Sequence, residues 1–69
     1  MKKTKYFIGP QSDTGSLEIT ISEAETKRDH FLSENKNEIG EIDSEELQIV
    51  TMSNNTRIQA VITLTYFPK

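Results

Sequence analysis

Two segments in which apolar and polar residues alternate, 46–52 and 57–67, flank a turn-forming Asn54-Asn55 pair. Asn tolerates positive φ values, so this pair can form the two-residue type I′ turn that joins the strands of a β-hairpin. Such a turn fixes the register, with the numbers of opposed residues summing to 109, and places Leu47 opposite Ile62. The apolar side chains of both strands then share one face. The turn and the alternation therefore predict the same hairpin independently of each other.

The predicted hairpin carries apolar side chains on both of its faces. Alternate residues of the second strand form the predicted core face: Ile58, Ala60, Ile62, Leu64 and Tyr66. A second apolar group lies between Gln and Thr residues on the opposite face: Val50, Met52, Val61 and Phe67, together with Phe7 of the N-terminal strand. One helix cannot cover both faces of a sheet, and an exposed apolar stripe usually marks an interaction surface. We therefore predict that these five residues form an interaction face.

Outside the hairpin and the helical region, the sequence indicates one short strand and two polar loops. Residues 3–8 indicate a short strand that ends at Gly9-Pro10, with a loop continuing to residue 16. The polar and acidic residues 36–45 are interpreted as a second loop. Because the second strand of the hairpin is then longer than the first, residues 63–67 need another partner. We expect that partner to be either the N-terminal strand or a neighbouring subunit.

The segment before the helix has two interpretations. Residues 17–21 alternate apolar and polar side chains and include three β-branched residues, which favours a strand. Ser22 and Glu25 then have the spacing of a capping box, which predicts a helix over about 23–35. The alternative is a longer helix that starts near Ser16, because the apolar residues that follow also keep helical spacing. We predict the strand followed by the helix.

These elements predict an α+β domain over residues 1–69. It consists of a small, mostly antiparallel four-stranded sheet with one helix packed on one face, in the order ββαββ, or βαββ if the helix starts near Ser16. The order of strand, helix and long terminal hairpin is similar in outline to the dodecins, small oligomeric flavin-binding proteins of comparable length. The chain has no Trp to stack on a flavin and no Ala-rich helix, so no cofactor is expected. The layout also looks like that of short proteins of Gram-positive bacteria and their phages.

Composition restricts the functional classes. Eight Lys and Arg residues against eleven Asp and Glu residues give a net charge of −3, the wrong sign for general nucleic-acid binding. The absence of Cys excludes a disulfide framework, a thiolate metal site and a thiol nucleophile. Leu, Ile, Val and Phe account for 17 of the 69 residues, above the ~20% below which chains tend to stay disordered. A small core is therefore expected, and oligomerisation commonly stabilises such domains.

The N-terminus resembles the basic region of a signal peptide, but only Tyr6-Phe7-Ile8 follows before Gly9-Pro10. This apolar run is too short for a signal peptide, and no run in the sequence reaches transmembrane length. We therefore expect a cytoplasmic protein with no membrane partner.

Two short motifs could carry catalysis, and each has a simpler interpretation. Asp13-Thr14-Gly15 resembles the trio of the aspartic proteases, but the resemblance covers three residues flanked by polar ones, as in an ordinary polar turn. His30 and Glu34 share a face of the predicted helix, but no third metal ligand or nucleophile accompanies them. We predict neither a catalytic nor a metal site.

Charged segments near each end of the sheet could bind other molecules. An acidic group within residues 38–46, interpreted as a solvated loop, could dock on a basic protein surface: Glu38, Glu41, Asp43, Glu45 and Glu46. Lys2, Lys3 and Lys5, next to Tyr6 and Phe7, could contact single-stranded nucleic acid together with Arg57. Lysines also protect an edge strand from aggregation, and nucleic acid is not the expected partner.

The leading hypothesis is a non-enzymatic protein-interaction module, a homo-oligomer that acts as an accessory or regulatory protein. Its partners would be further copies of itself and another protein. The alternative is a small-molecule-binding oligomer with an aromatic pocket between subunits, lined by Tyr6, Phe7, Tyr66 and Phe67. A weak nucleic-acid binder is a further alternative.

Overall fold

The structure, a computed structural model, describes residues 1–52 and 54–69. Its elements are β1 (Lys3–Ile8), β2 (Ser12–Asp13), α1 (Leu17–Glu34), β3 (Ile39–Met52) and β4 (Arg57–Pro68). All strand pairs are antiparallel, and β4 is central: β1 and β2 pair with one side of it and β3 with the other. The helix packs on one face of this sheet against β1 and β4. The predicted α+β class, with four antiparallel strands and one helix, is confirmed.

The C-terminal hairpin has the predicted register. Leu47 pairs with Ile62, and Ile49 pairs with Ala60. Asn54 and Asn55 have φ values of 57° and 69°, as the central residues of a type I′ turn require. Ser53, which precedes this pair, lies outside the described residues. The backbone conformation of the two Asn residues and the apolar alternation thus specify one register together.

The core lies between α1 and one face of β4. The five residues predicted for the core face of this strand are all buried: Ile58, Ala60, Ile62, Leu64 and Tyr66. Phe7 of β1 and Ala24 of α1 join them in the cluster. The ring of Phe31 lies 5.5 Å from that of Phe7 and 5.9 Å from that of Tyr66, measured between centroids. These tilted contacts anchor the C-terminal half of the helix to the sheet.

The predicted strand over residues 17–21 is wrong, because α1 begins at Leu17. The two fully buried helix residues, Thr20 and Ala24, are four positions apart and therefore face the sheet together. Thr20 Oγ1 accepts a hydrogen bond of 2.8 Å from the backbone N–H of Ala60. Contact with the sheet therefore outweighs the β-branched propensity of this segment. The predicted capping-box residues, Ser22 and Glu25, lie inside the helix.

Gly9 allows the helix to approach the sheet at this point. A Cβ atom at Gly9 would lie 2.1 Å from the carbonyl oxygen of Thr20 and 2.6 Å from its Oγ1. Any side chain would collide with the backbone of the helix. The N–H of Gly9 also donates a 2.9 Å hydrogen bond to the carbonyl of Ala60. The end of β1, the helix and the central strand therefore meet at one position.

The predicted loop over residues 36–45 is also wrong from residue 39 onward, because β3 begins at Ile39. The strand follows β4 as far as Pro68, with register shifts between Ile39 and Glu41 and between Ile42 and Ser44. The side chains along this stretch are exposed or half-buried, so the carboxylates stay in water while the backbone pairs. Residues 63–67 therefore pair with β3 on one side, and β1 pairs with most of them on the other.

Candidate interaction surface

The sheet face opposite α1 is called the outer face. Val61 lies in its centre, directly between Ile8 of β1 and Gln48 of β3. Val50 pairs with Gln59 and is therefore a diagonal neighbour of Val61. The side chains of Ile8 and Val50 are 44% and 43% exposed, and Val61 and Met52 are half-buried. We call this group the outer patch: Ile8, Val50, Met52 and Val61.

The structure does not bring all of the predicted interaction residues together. Phe67 lies on the outer face opposite Glu41, six residues and roughly 20 Å along the strand from Val61. Its ring faces Lys2, whose Nζ lies 5.7 Å from the ring centroid. Phe67 is therefore separate from the outer patch, whereas Ile8 belongs to the patch and was not predicted. Ile8 becomes recognisable only when the pairing of β1 with β4 is known.

The placement of Phe7 on the outer face is wrong. Phe7 pairs with Ile62, whose side chain faces the helix, and only 7% of its surface is exposed. Side chains alternate between faces along a strand, so β1 turns Phe7 inward and Tyr6 and Ile8 outward. The aromatic residues proposed for a pocket are therefore divided, with Phe7 and Tyr66 in the core and Tyr6 and Phe67 on the outer face.

A second apolar surface lies on the helix side of β3. The exposed fractions there are 46% for Ile42, 49% for Leu47 and 39% for Ile49. A helix about 10 Å wide covers roughly two strands at their usual spacing, and α1 lies over β1 and β4. Leu47 and Ile49 thus lie on the predicted core face of the sheet, but the helix does not cover them.

An ion pair joins the helix to β3 beside this surface. Arg28 Nη1 donates a 2.6 Å hydrogen bond to Glu45 Oε2. This bond raises the pKa of Arg28, with a smaller raising contribution from Asp29, although burial acts in the opposite direction. The guanidinium therefore stays charged throughout the accessible pH range. Leu17, Ile21 and Leu32 have the spacing that places them on the same helix flank as Arg28, and Ile21 and Leu32 pack against the core.

The outer edge of β3 carries backbone groups that no strand of the described chain pairs with. Ala60 directs its N–H to Thr20 and its carbonyl to Gly9, and both lie away from β3. In an antiparallel ladder its partner, Ile49, must then direct its own N–H and carbonyl outward. By alternation Leu47 and Thr51 do the same. None of the fourteen residues of β3, all of them described, is buried.

The edge of β1 differs, because a lysine side chain covers one end of it. By the same alternation the carbonyl of Ile8 points away from β4, and Lys27 Nζ donates a 2.7 Å hydrogen bond to it. Lys5 Nζ lies 5.6 Å from the ring centroid of Phe31, and Lys2 pairs with Asp43 at 3.2 Å. Lys27 therefore covers the edge at the Ile8 end of β1, as charged side chains commonly do on edge strands, whereas Lys2 reaches across β4 to β3.

The motifs considered for catalysis form no chemical site. Asp13 pairs with Arg57 at 3.0 Å, and its side chain is 76% exposed. His30 Nε2 lies 3.8 Å from Glu34 Oε1, on an exposed helix surface. The described residues contain no cluster of three or more His, Asp or Glu side chains that could hold a metal ion. A surface depression of about 300 Å³ is lined by Lys3, Asn37, Glu38, Tyr66, Pro68 and Lys69.

Comparison with known proteins leaves the apolar surfaces as the basis for a functional argument. No family model matches the sequence, and no similar protein was found among curated proteins or solved structures. No helix within residues 1–52 and 54–69 is long and apolar enough to cross a membrane.

Proposed function

We propose that this protein is a non-enzymatic interaction module that forms a homo-oligomer and acts as an accessory or regulatory protein. The observation that supports this most directly is the exposure of the apolar side chains of β3. It is the longest strand in the described chain, none of its residues is buried, and it presents apolar side chains on both faces. A partner surface would remove these side chains from water, at about 25 cal/mol for each Å² of apolar area buried.

A second copy of the chain is the proposed partner on the outer face. The residues between the members of the outer patch, Gln48 and Gln59, are uncharged, and Arg57, which lies opposite Met52, is already paired with Asp13. Two such faces can pack without burying an unpaired charge. A pair of sheets packed face to face is a common arrangement for apolar sheet surfaces. Assembly would thus cover the face that the single helix leaves uncovered.

The mass of the protein in solution tests this proposal. Light scattering coupled to size-exclusion chromatography, run from low to high micromolar concentration, should give at least twice the 7.9 kDa of one chain. A mass of one chain at high micromolar concentration would contradict the proposal.

A matched pair of substitutions tests the surface itself. Val61→Lys introduces a charge in the centre of the outer patch and should lower the number of chains in the assembly. Thr63→Lys is the control, because Thr63 is half-buried on the same face of the same strand but lies outside the patch. Both variants should keep their secondary structure by circular dichroism. An equal loss of mass in both would contradict a role for the outer patch.

A further inference from the structure

We infer that the edge of β3 pairs with the same edge of a second copy, antiparallel and across a two-fold axis at Ile49. This inference rests on the self-association proposed above and adds a second, distinct contact to it. The outward backbone groups of Leu47, Ile49 and Thr51 supply the donors and acceptors. Their orientation follows from the hydrogen bonds of Ala60 to Thr20 and Gly9 on the other side of β4.

The charge pattern of β3 selects this segment of the edge. Residues 47–52 contain no charged side chain, whereas residues 41–46 contain four acidic ones. A parallel, in-register pair would place the two acidic segments side by side. An antiparallel pair centred on Ile49 sets Leu47 opposite Thr51 of the partner subunit and moves the acidic segments to opposite ends. The two copies of Glu45 would then be roughly 27 Å apart, beyond the ~10 Å screening length of a moderate salt solution.

The two edges of the sheet explain why the partner is a second β3 and not a β1. The edge of β1 is obstructed at its Ile8 end by the bond from Lys27 to the Ile8 carbonyl. Pairing of β3 with β1 would also join unlike edges and form open chains. Pairing of β3 with β3 is closed after two copies. It also places Ile49 beside Ile49 of the partner subunit on the helix side, which removes apolar surface from water.

Crosslinking tests the register directly, because the chain contains no Cys. Paired residues at the two-fold position would have Cα atoms about 5.5 Å apart. In Ile49→Cys a short bis-maleimide should therefore give a covalent dimer. Glu45→Cys is the matched control, because it lies on the same strand and the same face but far from its symmetry mate. Absence of a dimer in Ile49→Cys, or equal dimer in both variants, would overturn the inference.

A substitution at the backbone provides the second measurement. Ile49→Pro removes an outward N–H that does not bond to β4, so the ladder within the chain stays intact. Ile49→Thr shortens the side chain but keeps the N–H. Both should be compared in a Val61→Lys background, where the outer-face contact is weakened. We expect Ile49→Thr to retain dimers and Ile49→Pro to lose them.

The outcomes separate this inference from the proposed function. If the wild-type chain is oligomeric but Ile49→Pro has the same mass as Ile49→Thr, the edge pairing is wrong and self-association stands. If the wild-type mass is that of one chain, both are wrong. In the Val61→Lys background, assemblies that keep growing with concentration would indicate open pairing of unlike edges and would also overturn the two-fold arrangement.

Discussion

The two strands of the hairpin, β3 and β4, are paired along most of their length but differ completely in burial. Five alternate side chains of β4 are buried, whereas β3 has none. The difference comes from the position of the helix, which packs over β1 and β4 and leaves the side chains of β3 largely uncovered. A strand of this protein can therefore be paired through its backbone while its side chains stay exposed. The central strand supplies most of the core. The hydrogen-bond ladder holds β3, together with the packing of Ile39 against the core and the ion pair of Arg28 with Glu45.

Truncation of one Leu in each strand should show the largest difference. Leu64→Ala empties a site with no solvent exposure and should lower the free energy of unfolding by about 2–5 kcal/mol. Leu47→Ala, at a site 49% exposed, should cost less than about 1 kcal/mol. Urea unfolding followed by circular dichroism, at the lowest practical protein concentration, measures both. Equal losses would show that β3 is as well covered as β4.

Gly9, which lies beneath α1, tests how closely the helix packs on the sheet. Gly9→Ala should destabilise the fold by about 1–3 kcal/mol or more, because the new Cβ collides with backbone atoms of Thr20. Gly15→Ala is the matched control, since nothing lies within 4 Å of its Cβ position, and its effect should stay within about 0.5 kcal/mol. Thermal unfolding of the two variants would reveal the difference. A Gly9→Ala protein as stable as Gly15→Ala would mean that the helix does not pack at this distance.

The ion pair between Arg28 of α1 and Glu45 of β3 should have the smallest effect on the free energy of unfolding. The side chains of Arg28 and Glu45 are 22% and 37% exposed, so water screens their attraction in part. A double-mutant cycle with Arg28→Met and Glu45→Gln should give a coupling of less than about 1 kcal/mol, weaker at high salt. Glu41→Gln, in the same strand, is the control and should show no coupling to Arg28. A coupling that does not change with salt would contradict this account.

The hairpin could be predicted from the sequence because its determinants are local. Asn54 and Asn55 specify the turn, and the alternation in the flanking segments specifies the same register. The burial of Leu64 and its neighbours on β4 followed from that alternation alone. Both signals are contained within a short stretch of chain, so no knowledge of other elements was needed.

The helix boundary could not be predicted in this way, because distant contacts decide it. The β-branched residues of 17–21 favour a strand locally, but Thr20 is fixed by Ala60, forty positions away. Similarly, the polar residues that begin β3 indicate a loop until the length of β4 provides a backbone partner. In both places the decisive contact is remote in sequence.

The candidate surface was predictable only in part for the same reason. Val50, Met52 and Val61 belong to the hairpin, and the structure places them together on the outer face. Phe7 was assigned to the wrong face, and Ile8 was missed, because the pairing of β1 with β4 joins opposite ends of the chain. The exposure of Leu47 depends on the width and position of the helix, which no pattern in the sequence specifies.

The order of assembly during folding follows from the contrast between the turn and the contact at Thr20. The hairpin can form from its Asn turn outward, with each new pair of residues added next to one already in place. The bond from Ala60 to Thr20 must close a loop of forty residues, and such closure costs more conformational entropy than a turn. The sheet can therefore begin before the helix docks on it. Changes in the turn should alter the rate of folding most, and changes under the helix should mainly alter the rate of unfolding.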